Sequence, residues 1–187
     1  MSFFRRLFGE GNSKKKYILE LKAVGVLHSV YAAANTTMDA LIDNTEELNS
    51  LTESQKGEIL FILSHVFLYK AQEFFWENVI SNKKDALEFE SFLFAKYEQG
   101  FGVNPRILLR DFADYVKDGN NELMYVGSRI CDVINKRCAS LQYKITLTVV
   151  HFIKALYSSC DAAWNLPQDK LIAMKTEFDN RSRSKSP

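Results

Sequence analysis

ILFILSHVFLYKAQEFFWENVI, residues 59–80, is the stretch on which the fold class turns. Its apolar side chains recur nearly all round a helical wheel, the pattern of a helix buried on most sides. A membrane span is not expected, because Glu58, Lys70, Glu73 and Glu77 bound an uncharged run of 11 residues, well short of the roughly 20 needed to cross a bilayer. The run is therefore read as the central helix of a bundle. Ser50 followed by Glu53 has the form of a capping box at its start.

The neighbouring segments read the same way. Tyr17 to Ala34 carries apolar residues at helical spacing, and Asn35, Thr36 and Thr37 offer an interruption before a second piece reaching Leu48. Downstream, Asp85 and Glu88 offer a cap for a short aromatic helix containing Phe89, Phe92, Leu93, Phe94 and Tyr97. Gly100 and Gly102 end it, Asn104 can cap the next turn, and Pro105 suits a first helical position. Gly119 closes that helix. Leu123, Val126, Ile130, Val133, Ile134 and Leu141 then repeat at spacings of three, four and seven, as one further helix. Tyr143 to Val149 alternates like a half-buried strand, but Ile145, Val149, Phe152, Ile153, Leu156 and Cys160 also share one helical face, and a lone strand has no partner. Helix is expected through Trp164, with a last helix starting at Pro167.

Composition agrees with this reading. The chain has 187 residues, 47% hydrophobic and 13% aromatic, with only 3 Pro and 8 Gly, enough apolar material for one sizeable core and too few turn signals for a many-stranded sandwich. The expected fold is all-α: a single-domain, multi-helix bundle of roughly six to eight helices, with an amphipathic segment at 1–12, a helical domain at 13–180 and a disordered polar tail at 181–187. A secretory leader is not expected, because Arg5 and Arg6 interrupt any apolar run, and three cysteines then fit free thiols in a reducing compartment. The expected location is cytoplasmic, including the inner face of the membrane.

Net charge is +1, unevenly spread. Residues 1–38 carry +4, residues 39–122 carry −8 and residues 123–187 carry +5. An acidic middle between basic ends can steer helix packing, self-association or contact with partners.

Two groups of residues stand out for function. At the N-terminus, Phe3, Phe4, Leu7 and Phe8 fall within one apolar arc of a short helix, with Arg5 and Arg6 on the other side and Lys14, Lys15 and Lys16 following after Gly9 and Gly11 release the helix. Aromatic insertion combined with cationic attraction holds an interfacial helix on an anionic leaflet, so reversible membrane contact is one role. Packing on a protein partner, a second copy or the chain's own core is the other. On the central helix, Glu58, Phe61, His65, Tyr69, Gln72 and Trp76 share a narrow arc, and Phe61, His65, Tyr69 and Trp76 combine apolar area with polar tips suited to a ligand pocket or an interface.

Other chemistry is not indicated. Three residues before His28, His65 and His151 stand Gly25, Ile62 and Thr148, so no Glu-x-x-His pair exists for a dinuclear metal site. Cys131, Cys138 and Cys160 lack zinc-ribbon spacing, and no phosphate-binding glycine motif or serine elbow occurs. No metal, cofactor or catalytic residue is expected. His28 reads as a satisfied core histidine, His151 as solvated, and Cys131 and Cys138 as buried, inert thiols sharing a face with Ile134 and Leu141. Arg129, Lys136, Arg137 and Lys144 form the one candidate cluster for nucleic-acid binding, which is too dilute for that role. The functional expectation is a non-enzymatic interaction or regulatory protein, self-associating or docking through its N-terminal helix; the alternative is a helical sensor for a small apolar or aromatic ligand.

Overall fold

A computed structural model describes residues 3–107, 110, 112 and 122–183, with side chains described for 13–107, 110, 112 and 124–182. The protein is all-α, and no strand occurs among the described residues. Helix α1 spans Phe3–Asn44, α2 Glu53–Phe74, α3 Lys83–Phe101, α4 Glu122–Val133, α5 Ala139–Trp164 and α6 Gln168–Arg183. A 3₁₀ turn (Glu46–Leu48) joins α1 to α2, and a π turn (Phe75–Val79) ends α2. The helix closed by Gly119 lies largely outside the described residues, although the backbone at 105–107 is helical and Asn104 accepts from the Arg106 amide at 3.0 Å.

Helix α1, rather than α2, is the hub: it packs against α2, α3, α5 and α6. Leu21, Ala23, Val24, Val26, Leu27 and Val30 are all fully buried. The interruption expected at Asn35–Thr37 does not occur. Asn35 Nδ2 donates to the Tyr31 carbonyl and Thr37 Oγ1 to the Ala33 carbonyl, each at 2.7 Å, so these side chains bond back into the helix they would otherwise compete with. Gly9 and Gly11 do not end the helix either, and the expected boundary between residues 12 and 13 lies inside α1. At the other terminus, α6 continues to Arg183 through an Arg181–Glu177 ion pair and a 3.0 Å bond from Ser182 Oγ to the Phe178 carbonyl, so helix replaces the first part of the expected tail.

Helix ends differ from the expected ones by a few residues, each for a visible reason. The capping box of α2 uses Thr52 and Gln55 rather than Ser50 and Glu53: Thr52 Oγ1 accepts from the Gln55 amide (3.2 Å) while Gln55 Oε1 accepts from the Thr52 amide (3.0 Å). Asn82 caps α3 by accepting from the Lys84 amide at 2.9 Å. Asp85 and Glu88 are thereby left for ion pairs with Lys15 (2.7 Å) and Lys16 (3.0 Å) of α1. Gly102, at φ 71°, closes α3 in the left-handed conformation that favours glycine.

The single helix expected from Leu123 to Leu141 is two. Asn135 adopts φ 54°, its amide donates to the Asp132 carbonyl (3.1 Å), and the Lys136 amide donates to the Cys131 carbonyl (3.0 Å). This is a Schellman closure, in which an αL residue turns the chain back over the last turn of its own helix. Helix α5 starts four residues later. Tyr143 to Val149 lies wholly inside it, with Ile145, Val149, Ile153, Leu156 and Cys160 buried.

Charge placement follows the uneven sequence. Glu20 of α1 forms ion pairs with Lys96 of α3 (3.2 Å) and Lys175 of α6 (3.6 Å), and Lys96 and Lys175 both pair with Asp179 of α6. Partly exposed pairs contribute at most about 1 kcal/mol each, so this network orients three helices more than it stabilises them.

Candidate functional site

The polar and aromatic face of α2 becomes a cavity once α4 and residue 112 are in place. Phe61, Ile62, His65, Val66 and Tyr69 of α2 form one wall, Phe112 and Tyr125 the opposite one, and Glu58 and Arg129 stand at the rim around a volume of about 200 Å³. Phe112 meets Tyr69 (4.9 Å between ring centroids) and Tyr125 (5.3 Å), so the two walls join through aromatic contacts. Of the residues expected here, Phe61, His65 and Tyr69 are brought together and Trp76 is not. Two turns further along the axis, the same face meets α3, where Trp76 Nε1 donates to Glu90 Oε2 (3.2 Å), as does Gln72 Nε2 (2.6 Å).

His65 is buried and its hydrogen bonds define its state. Nδ1 lies 2.7 Å from the Phe61 carbonyl oxygen, which can only accept, so Nδ1 carries the proton. The Tyr97 hydroxyl, 3.0 Å from Nδ1 and 3.3 Å from Nε2, then donates to Nε2, the nitrogen with a free lone pair. Burial holds the His65 pKa below its ordinary value, against a smaller opposing effect of the Phe61 carbonyl. The ring is a neutral, positioned wall of the cavity, packed edge-on against Phe61 (4.2 Å) and Tyr97 (5.0 Å).

This predicts a pH dependence of stability. A histidine whose pKa is lower folded than unfolded leaves the unfolded chain binding more protons once pH drops below 6.5, the ordinary histidine value, and that favours unfolding. The thermal midpoint should hold steady above that pH and fall below it, with a slope from His65 of at most about 1.4 kcal/mol per pH unit. Melting curves from pH 8 to 5 check this, and His65→Gln should flatten the acid limb.

His28 departs from its expected role. Its Nε2 is buried with no hydrogen-bond partner among the described residues, and burial lowers its pKa. Together with Tyr31, Phe101 and Arg181 it borders a second cavity of about 410 Å³ between α1, α2, α3 and α6. His151 is exposed, as expected.

The N-terminal set divides. The side chains of Phe3, Phe4, Arg5, Arg6, Leu7 and Phe8 lie outside the described ones, although their backbone is helical. Lys14 is exposed, while Lys15 and Lys16 reach Asp85 and Glu88. Lys14, Lys15 and Lys22 border a groove of about 460 Å³ shared with Ile80, Asp85 and Trp164. Lys22 Nζ sits 4.0 Å from the centre of the Trp164 ring, a cation–π contact.

Cys138 is not buried. It is exposed at the N-cap of α5 with Sγ 2.9 Å from Ser140 Oγ, whereas Cys131 and Cys160 are buried. Of the basic cluster, Arg137 donates to Asp132 (2.7 Å), Arg129 borders the cavity, and Lys136 and Lys144 are exposed.

The far wall was not visible in sequence. Phe112, Tyr125 and Arg129 lie 51 to 71 residues from Glu58 and Phe61 along the chain, and no local periodicity links them. Among the described residues, no group of three or more His, Cys, Asp or Glu is placed to share a metal ion, and no helix is long and apolar enough to cross a membrane. No protein-family model, curated protein or solved structure matches the chain.

Proposed function

We propose that the protein is a non-enzymatic, regulatory helical protein that holds a small aromatic molecule against Phe61, His65, Tyr69, Phe112 and Tyr125. The observation that carries this reading is the cavity itself, about 200 Å³, walled mainly by aromatic and aliphatic side chains from separate segments, with the neutral His65 in its wall and the exposed Glu58 and Arg129 beside it. A dry apolar cavity of about 150 Å³ accommodates a benzene-sized guest, so a single-ring or indole-sized ligand matches the space. His65 supports binding over catalysis, since the Phe61 carbonyl and the Tyr97 hydroxyl occupy both its nitrogens.

Titration calorimetry with indole and phenol, alongside native mass spectrometry of the purified protein, tests the reading. Saturable one-to-one binding is expected, weakened at least about tenfold, or 1.4 kcal/mol, by Ile62→Trp, which fills the space. Equal binding by the filled variant, or no saturable binding of either probe and no co-purifying ligand, overturns it.

A second reading concerns α1, whose backbone is helical without a break from Phe3 into the core of the bundle. An amphipathic N-terminus continuous with the hub helix suits docking of the whole bundle on an anionic membrane surface or a partner, with Phe3, Phe4, Leu7 and Phe8 anchoring and Arg5, Arg6 and Lys14 attracting. Salt-sensitive sedimentation with anionic liposomes is expected for the full chain and not for a variant beginning at Ser13. Absence of binding by both assigns the segment to protein contacts or self-association.

A further inference from the structure

We propose that Cys138 is a hydroperoxide-reactive thiol and that Cys131 is its resolving partner, the two joining in an intramolecular disulfide across the α4–α5 turn. The argument starts from the Schellman closure. With Asn135 at φ 54° and the Lys136 amide bonded to the Cys131 carbonyl at 3.0 Å, the chain doubles back along the last turn of α4. Arg137 is pinned there by its 2.7 Å bond to Asp132. Cys138 follows in extended conformation, φ −134° and ψ 126°, two residues after the Lys136 amide that closes on the Cys131 carbonyl. Two cysteines seven residues apart in sequence are thus carried to the same end of α4 across one tight turn.

Their environments differ in the way the chemistry requires. Cys138 is exposed at the N-cap of a 26-residue helix, where unpaired amides and the helix dipole stabilise an anion. The Ser140 hydroxyl, 2.9 Å from its sulfur, together with the Leu141 and Ser140 amides, holds its pKa below the ordinary thiol value, against the repulsion of Glu47. Cys131 is 2% exposed and its pKa is raised by burial, the Cys138 amide opposing. Cys160, buried in α5, is pushed up to about 12 and has no part in the reaction. A low-pKa, accessible thiol beside a second cysteine is the usual arrangement of a redox-sensing pair.

The step balances with a hydroperoxide as oxidant. The Cys138 thiolate attacks the peroxide oxygen, the O–O bond breaks, and hydroxide (or alkoxide) leaves a sulfenic acid on Cys138. The Cys131 sulfur then attacks the Cys138 sulfur, the S–O bond breaks, and water departs with the Cys131 proton. Two electrons pass from the two thiols to the peroxide. The product ties the end of α4 to the start of α5, and α4 carries Tyr125 and Arg129 of the cavity.

The test is exposure of the full-length protein to hydrogen peroxide, followed by thiol blocking, trypsin and non-reducing mass spectrometry. Cleavage after Arg129, Lys136, Arg137 and Lys144 yields residues 130–136 linked to residues 138–144. In Cys131→Ser a sulfenic acid should accumulate on Cys138 and be trapped by dimedone, and Cys138→Ser should leave both remaining thiols reduced. Without oxidant, iodoacetamide should label Cys138 at least about tenfold faster than Cys131 or Cys160. Oxidation beginning at Cys160, equal labelling of all three thiols, or disulfides only between two copies through Cys138 would overturn the assignment. Cys138→Ser alters one exposed side chain, so its melting curve should match the parent and separate loss of reactivity from loss of fold.

Discussion

Gly127→Ala should lower the thermal midpoint, whereas Gly57→Ala should raise it, although both glycines lie inside helices. A methyl at Gly127 would press on the Gln142 backbone carbonyl and lie 2.6 Å from Thr146 Oγ1, both on α5. The backbone cannot yield as a flexible side-chain tip would. Thr146 is itself held by a 2.9 Å bond to that same Gln142 carbonyl. Overpacking of this kind costs about 3 kcal/mol at the upper end of its usual range, and alanine's better helix propensity returns about 1 kcal/mol. The net loss of about 2 kcal/mol corresponds to roughly 4–8 °C for a chain of this size. Gly57 has nothing within 4 Å of the same methyl, so only the propensity gain remains, about 1 kcal/mol or roughly 2–4 °C. Calorimetry of the two variants checks the sign of each shift. Equal shifts would mean that α4 and α5 do not meet at Gly127.

Phe75→Ala carries the second large effect, a loss of about 3–5 kcal/mol for a fully buried phenylalanine, or roughly 6–20 °C in the midpoint. The physical origin is the π turn over Phe75–Val79, in which the Ile80 amide reaches the Phe75 carbonyl at 2.9 Å. Three consecutive aromatics around its start serve three different neighbours. Phe74 stacks on Tyr157 of α5 (5.1 Å, 15°), Phe75 fills the space between Phe89 and Trp164 (4.9 Å to each), and Trp76 reaches Glu90. Removing the middle ring empties the contact between α2, α3 and α5 and withdraws support from the Trp164 ring that carries Lys22. Phe75→Leu, which keeps most of the volume, should recover more than half of the loss. A midpoint for Phe75→Ala within about 2 °C of the parent, which is less than 1 kcal/mol, would contradict this packing.

These two sites show what kind of information sequence periodicity carries. Phe75 was legible as a core residue because it lies in an apolar run whose pattern repeats within one helix. Gly127 was not, since its role depends on Gln142 and Thr146 across a turn. The same division runs through the candidate site. Phe61, His65 and Tyr69 share an arc because α2 is a regular helix, and that arc could be read residue by residue. Extending it to Trp76 failed because an arc defines a direction and not the neighbour met along it; two turns on, the neighbour is Glu90 of α3 and not the cavity.

By itself, the sequence determined the all-α class, the burial of α2 on most sides, the helical state of Tyr143 to Val149, the stop at Gly102 and the helix start at Pro167. Those properties rest on interactions within a few residues along the chain, namely i to i+4 hydrogen bonding, side-chain periodicity and the backbone limits of glycine and proline. Tertiary structure alone decided that α1 is the hub, that Phe112 and Tyr125 close the cavity over His65, and that Cys138 faces solvent. Two further matters were settled within a single turn: side-chain hydrogen bonds at Asn35 and Thr37 kept α1 continuous, and the αL residue Asn135 ended α4 against the apolar spacing. The others were settled by contacts between segments far apart in the chain, because an amphipathic face specifies that it must be buried but leaves open what covers it.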